Sequence, residues 1–419
     1  MSTVSIHPKD EHNIKIAYIH AMAFPNPEAN TFDAIWTAEA LSEQVDTTFF
    51  MPWMNAPLPA LRNYYEISAE SPLRIRSMYL NYLPTRVKLR FKRIYEQLLL
   101  IHLRFHLSWS SCHSQKILYV REPKELLFWG AQRQHKKWLK NWIFCYEAHD
   151  HLGLEPGMFQ GSNPSEMEDG PKKQQSLAVI QAVRQFDLVI CNTQALADDL
   201  RSWVNNRFQV HFIRLASPLP SPPSPPRIHF GEKIVIGYIG TIDRLRGVDI
   251  LLDAMRFLPE NFSLRLVGRL RQENGVDPLW LIKYLEDPLL TNRVEVDNSL
   301  PIHNVTGEID RCDIVIQPAS SDITDSRYVA PMKTYGYMRR GKPIVAADVP
   351  CHHEIYRHGE NAVLYPLDPR GLADCITNLV GHPELAARIA RGAWEQGADY
   401  TFSRRSEEIL SLIGQVAIR

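Results

Sequence analysis

The stretch 233–252, KIVIGYIGTIDRLRGVDILL, decides how the rest of the chain is read. Residues 234–239 form an apolar run of strand length, Gly240 ends it, and Val248, Leu251, Leu252 and Met255 recur at helical spacing. A strand that passes through a glycine turn into a helix aims unpaired backbone N–H groups and the positive end of the helix dipole at one point. Arg246 adds a fixed charge there, so the turn is expected to bind an anion, a phosphate foremost. Short glycine turns with a surface arginine are also common, and the neighbouring sequence has to decide between the two.

The 419 residues suffice for two or three domains, and 45% hydrophobic with 22% charged residues is the balance of a soluble globular protein with sizeable cores. Lys plus Arg and Asp plus Glu both number 47, so no global field favours nucleic acid, and any basic site has to be local. Cys112, Cys145, Cys191, Cys312, Cys351 and Cys375 are scattered without a C-x-x-C pair. That fits neither a zinc site nor a disulfide framework and makes a reducing cytoplasm the simplest setting. The polar start, MSTVSIHPKDEHN, is unlike a secretory signal, and no uncharged apolar run is long enough to span a bilayer, so any membrane contact is expected to be peripheral.

Short apolar runs at 14–20, 48–51, 117–120, 142–146, 188–191 and 210–213 alternate with helical patterns, the first of them at 32–41. This alternation predicts a parallel sheet flanked by helices. Then comes SPLPSPPSPPRIHF, 217–230, with six prolines in its first ten residues, which reads as a semi-rigid linker. Strand runs resume at 234–239, 264–267, 294–296, 313–317, 344–347 and 362–365. The expected fold class is therefore α/β, two Rossmann-like domains facing across a cleft, divided as 1–216, linker 217–230 and 231–402. A last helical segment, 403–419, either packs within the second domain or crosses back to the first. Ligands of open α/β sheets bind at the carboxyl ends of the strands, so the site is expected between the domains.

Two segments interrupt the alternation. In 86–105, Val87, Phe91, Ile94, Leu98, Ile101 and Phe105 form one helical stripe, with Arg86, Arg90, Arg93 and Arg104 on a neighbouring face. Such a helix, ~30 Å long, can lie on an anionic bilayer or pack on its domain with the arginines in water. The segment 153–175, rich in Gly, Pro and acidic residues, reads as a loop, either a lid over a site near His149 and Asp150 or an inert insertion.

Several blocks, in order, resemble the GT-B glycosyltransferases of family 4, retaining enzymes that use nucleotide sugars. In the second domain these are GYIGTIDRLRGVDILLDAM, RLVGRL, RCDIVIQPASS and the long run from APMKTYGYMRRGKPIVAADV almost to the C-terminus. VREP, YEAHDHL and DLVICNTQALADDL are a thinner match in the first. The resemblance implies that Gly240, Thr241, Arg246, Tyr328, Val329, Ala330 and Lys333 bind a UDP- or GDP-linked donor, and that His149 faces the donor sugar as the catalytic group. Asn26 and Asn30, in the loop after the first strand, are the acceptor-side candidates. It implies no cofactor and no metal, and a glycan, lipid or small-molecule acceptor.

The family's pair of glutamates, eight positions apart, falls on Tyr328 and Gly336, and no glutamate occurs between Glu308 and Glu354. The second of the pair ordinarily accepts the ribose hydroxyls; Asp322 or Asp325 is the nearest substitute in sequence. Losing a charged partner of a hydroxyl costs ~1.5–3 kcal/mol, which donor binding can survive. His352, His353, Glu354 and His358 match no standard ligand spacing, and no Asp-x-Asp, G-x-S-x-G or P-loop occurs. Trp129, Trp138 and Trp142 read as core. The sequence thus predicts a metal-independent retaining glycosyltransferase, with a catalytically silent GT-B-like binding subunit as the alternative that the missing glutamates raise.

Overall fold

The computed structural model describes residues 14–22, 24–52, 54, 56–77, 92–104, 114–149, 170–204, 209–271, 278–298, 304–320 and 328–418. The chain forms two compact units, one comprising residues up to Leu215 together with the segment from Phe402 onward, the other running from Ala216 to Thr401.

The first unit is built on seven strands: β1 (Ile14–Ile19), β2 (Asp46–Met51), β3 (Arg74–Ser77), β4 (Gln115–Val120), β5 (Ile143–Ala148), β6 (Leu188–Cys191) and β7 (Gln209–Phe212). They lie in the order β3-β2-β1-β4-β5-β6-β7 and every pair is parallel. Helices cover both faces of such a sheet, which is why its strands are continuous apolar runs. Tyr18 stacks on Tyr119 at 4.6 Å and on Phe49 at 5.3 Å between ring centroids. Strand order reverses between β1 and β4, so the crevice outside their carboxyl ends is the place where this topology leaves room for a ligand.

The second unit repeats the plan with β8 (Ile234–Ile239), β9 (Phe262–Val267), β10 (Val294–Asp297), β11 (Ile314–Gln317), β12 (Ile344–Ala347) and β13 (Val363–Tyr365), in the order β10-β9-β8-β11-β12-β13. Here the reversal lies between β8 and β11, which pair only at Ile236↔Ile314 and Gly237↔Val315. Beyond that point Tyr337 supplies the missing partner: Ile239 N donates to its hydroxyl at 2.8 Å, and the hydroxyl donates to Ile239 O at 3.3 Å.

One expectation needs correction and two become more specific. The proline-rich segment, expected as a semi-rigid linker, is held by the second unit: its carbonyls, which no ladder uses, are taken by donors there. Arg339 Nε donates to Leu219 O at 2.6 Å, Arg340 Nη1 to Pro220 O at 2.7 Å and Trp394 Nε1 to Pro222 O at 3.0 Å. The loop expected to reach residue 175 ends earlier, since a helix begins with proline in its first turn at Pro171–Val183; residues 150–169 lie outside the described residues. Of the stripe in 86–105, residues 86–91 and 105 lie outside them too. In the described helix Lys92–His102, Leu98 and Ile101 are exposed while Leu99, Leu100 and Leu103 are buried. The run LLLIHL carries two interleaved stripes, and the expected one is exposed at Leu98 and Ile101. Arg104 is exposed.

Candidate functional site

The turn after β8 differs from a strand feeding directly into a helix. A 3-10 turn, Arg244–Arg246, is inserted before the short helix Val248–Ala254. Asp243 caps it by accepting from Leu245 N at 3.1 Å. Gly247 is the residue that closes it, at φ 74°, where an L side chain is strained; a Cβ there would lie 2.4 Å from Ala319 O, in the loop after β11. The turn is thereby locked against the carboxyl end of the neighbouring strand, and Arg246 is left half-buried at its end.

Lys333, in the helix Met332–Arg339, reaches the same place. Its Nζ donates to Tyr238 Oη at 2.7 Å and lies 3.9 Å from the centroid of that ring, and Tyr238 Oη in turn donates to Thr241 O at 2.7 Å. A side chain at Gly240 would meet Lys333 Nζ at 3.0 Å. Burial, with the nearby charge of Arg246 adding to it, holds the Lys333 ammonium well below the usual lysine range. The acidic neighbours in the turn are engaged elsewhere, Asp243 with Arg271 at 2.8 Å and Asp249 with Arg244 at 3.3 Å. Among the described residues neither Lys333 nor Arg246 meets a carboxylate. Gly240, Thr241, Arg246 and Lys333 are thus brought together. Tyr328 is buried, and Val329 and Ala330 are half-buried on the approach to the Lys333 helix. Asp322 and Asp325 lie outside the described residues.

Gly336, where the family carries a glutamate, faces packing: a Cβ there would be 3.1 Å from Leu219 Cδ1 and 3.6 Å from Ser217 Oγ. The docked linker occupies the space a longer side chain would need.

In the first unit the carboxyl ends of β1, β4, β5 and β6 gather a buried charge network. Arg121, after β4, donates to Asp33 Oδ2 at 2.5 Å and lies 3.7 Å from Glu147 Oε1. It also lies against both ring nitrogens of His149, which follows β5. His149 Nε2 is 2.7 Å from Glu147 Oε1, and Asn192, after β6, approaches Nδ1 at 3.3 Å and donates to His149 O at 3.0 Å. Arg405, from the helix Phe402–Ala417, donates to Glu147 Oε1 at 2.5 Å, and the Tyr119 hydroxyl donates to Oε2. Burial opposes ionisation of Glu147, yet Arg121 and then Arg405 overcome it and hold the carboxyl well below the usual range. His20 is also buried there, and burial, reinforced by Arg121, pushes its imidazole down.

Asp33, Glu147 and His149 lie close enough to hold a metal ion. Two guanidinium groups already sit on these carboxylates, Arg121 on Asp33 Oδ2 and Arg405 on Glu147 Oε1, which is the arrangement of an ion-pair network, although Asp33 Oδ1 has no hydrogen-bond partner among the described residues. His352, His353 and His358 do not cluster: they bond separately to Ala347 O, Asp348 and Leu364 N. Asn30 belongs to the network, its carbonyl accepting from Arg121 at 3.3 Å and its Nδ2 facing Glu122 at 3.4 Å. Asn26 does not, because Glu28 N and Tyr65 hold it as a turn residue before the helix Ala29–Ser42. Trp129 and Trp142 are buried core, with Trp138 edge-on to Trp142. Sequence reasoning missed Asp33, Arg121, Glu147 and Arg405. The available signal was a charge inside an apolar strand run, IFCYEA, which demands a buried partner.

Residues 233–382 match the profile of the glycosyl transferases group 1. No curated protein matches the sequence. Among solved structures, the chain is similar to the Anabaena protein HepE in complex with UDP-glucose (18% identity, TM-score 0.66, covering 96% of this chain and 100% of that one). It is also similar to sucrose-phosphate synthase from Thermosynechococcus elongatus (15%, 0.67, 96% and 99%). A third is WaaG, a glycosyltransferase involved in lipopolysaccharide biosynthesis (12%, 0.60, 95% and 99%). Two parallel-sheet units with these neighbours constitute the GT-B glycosyltransferase fold, and within it residues 233–382 are similar to the glycosyl transferases group 1.

Proposed function

We propose that this chain is a retaining glycosyltransferase that takes a sugar from a nucleotide sugar, a UDP-linked one in the first instance and a GDP-linked one in the second, and passes it to a glycan, lipid or small-molecule acceptor. The observation that carries this reading is the convergence of Arg246 and Lys333 on the Gly240–Thr241 turn with no described carboxylate to balance them. A nucleoside diphosphate supplies that charge. As the sugar leaves, negative charge grows on the β-phosphate, and two pre-placed cations in a partly dry site stabilise it. They do the work a divalent cation does in other transferases, which is why the reaction is expected to need none. Thr241, Tyr328, Val329 and Ala330 line the approach, and His149 is the catalytic group of the first unit. UDP comes first because HepE is solved with UDP-glucose.

The test is a nucleotide-sugar hydrolysis panel with and without EDTA, comparing wild type and Arg246→Ala. EDTA-insensitive release of one nucleoside diphosphate, cut at least about ten-fold by Arg246→Ala, supports the reading; near-normal turnover in the variant removes Arg246 from the mechanism. Tyr328 and Gly336 at the glutamate positions favour a second reading, a silent binding subunit. Binding of UDP or GDP without turnover of any nucleotide sugar would select it. The scattered cysteines support a cytoplasmic setting, and exposed Leu98 and Ile101 support peripheral contact with an anionic membrane. Among the described residues no helix is long and apolar enough to cross a membrane. Liposome sedimentation that leaves the protein in the supernatant would remove the membrane contact.

A further inference from the structure

One member of the network around His149 comes from the far end of the chain. The guanidinium of Arg405 joins three elements of its unit: it donates to Glu147 Oε1 at 2.5 Å, to Thr37 Oγ1 at 3.3 Å and to Arg214 O at 3.1 Å. Glu147 in turn receives His149 Nε2 on the same oxygen at 2.7 Å and the Tyr119 hydroxyl on the other. A carboxylate only accepts, so Nε2 of His149 carries the proton, and Nδ1 is left with its lone pair. Two donors lie near Nδ1, Arg121 Nη2 at 3.2 Å and Asn192 Nδ2 at 3.3 Å; Arg121 Nη2 also lies against Nε2, so the guanidinium and the Glu147 carboxylate make opposite demands on that nitrogen, and the Nε2–H form depends on how firmly Glu147 is held.

We propose that Arg405 is a positioning residue for His149: by fixing the oxygen of Glu147 it fixes the ring and its tautomer, so the Phe402–Ala417 helix is part of the apparatus that prepares the site. The proposal rests on the reading of His149 as the catalytic group. An ion pair with a purely structural role could be replaced on both sides by neutral groups with little loss. A pair that sets a tautomer could not, because a glutamine can turn either its donor or its acceptor toward the ring.

The full-length chain with 15N-labelled histidine is compared as wild type, Arg405→Lys, Glu147→Gln/Arg405→Met and Ser406→Ala. The last removes a bond from the same helix to Gln44 (2.6 Å) without touching Glu147. The tautomer of His149, identified by the signal lost in His149→Gln, is read by NMR, and kcat and KM by donor hydrolysis. The wild type is expected in the Nε2–H form, with Ser406→Ala matching it. Arg405→Lys should keep that form and stay within about five-fold in kcat. The double variant should show mixed tautomers and lose about ten-fold or more in kcat with KM changed less than about two-fold. A wild type in the Nδ1–H form overturns the proposal without recourse to any variant, as does a double variant that keeps tautomer and kcat. If the wild type hydrolyses no nucleotide sugar, the transferase reading fails, and the NMR comparison still decides whether the Glu147–Arg405 pair sets the ring.

Discussion

The carboxyl ends of the two sheets hold similar numbers of cations and treat them in opposite ways. In the first unit each buried guanidinium has its carboxylate, Arg121 with Asp33 and Arg405 with Glu147. In the second, the Lys333 ammonium rests on a phenol, and Arg246 meets no carboxylate among the described residues. A closed network holds a side chain in place, whereas an open pair of cations waits for an anion. On the function proposed above, the difference separates a region that positions His149 from one that receives charge.

The largest effect should come from breaking the closed network. Arg121→Met leaves Asp33 and Glu147 buried without their main cation and should cost about 3–5 kcal/mol in urea unfolding. Lys333→Met, the matching change in the other unit, should leave stability unchanged or raise it, because among the described residues its desolvated ammonium meets no opposite charge. Equal losses in both variants would erase the distinction drawn here.

Next in size is the ligand-side effect of Lys333→Met, expected to weaken UDP binding by about ten- to a hundred-fold, or ~1.5–3 kcal/mol, by calorimetry. An affinity within about two-fold of wild type would exclude Lys333 from the phosphate site.

The smallest effects are in pH. The folded-state carboxyl of Glu147 is lowered, so its contribution to stability is complete above the ordinary glutamate range and disappears as pH falls through the lowered value. Acid unfolding should therefore be steeper in wild type than in Glu147→Gln. Lys333 runs the other way: its amine is lowered, and an anion favours the charged form. UDP affinity should decline as pH rises through that lowered range, with protons taken up on binding. Affinity that is flat or rises toward alkaline pH would break the link.

Much of the fold was legible because parallel strands buried on both faces are plain apolar runs; β5, β6 and β8 stand within a few residues of where the pattern puts them. The edge strand β3, RIRS, with its exposed arginines, carries no such signal. The glycine turn after β8 was legible in kind, from Gly240 and Arg246, but its locking glycine, Gly247, depends on the remote Ala319 carbonyl. The network was least legible: Arg121 finds Asp33 from 88 positions away and Arg405 finds Glu147 from 258, and no local pattern encodes either. The stripe through Leu98 and Ile101 could not be assigned from sequence for a related reason, since periodicity identifies a face and only packing says which face is buried.

The measurement that bears most directly on the open cation pair is calorimetric titration of the full-length chain with UDP and, in parallel, UMP. Both carry the same base and ribose, so the difference isolates the second phosphate. The structure predicts saturable UDP binding at least about ten-fold tighter than UMP. Equal affinities, or no binding of UDP or GDP, would contradict the assignment of Arg246 and Lys333 to a diphosphate.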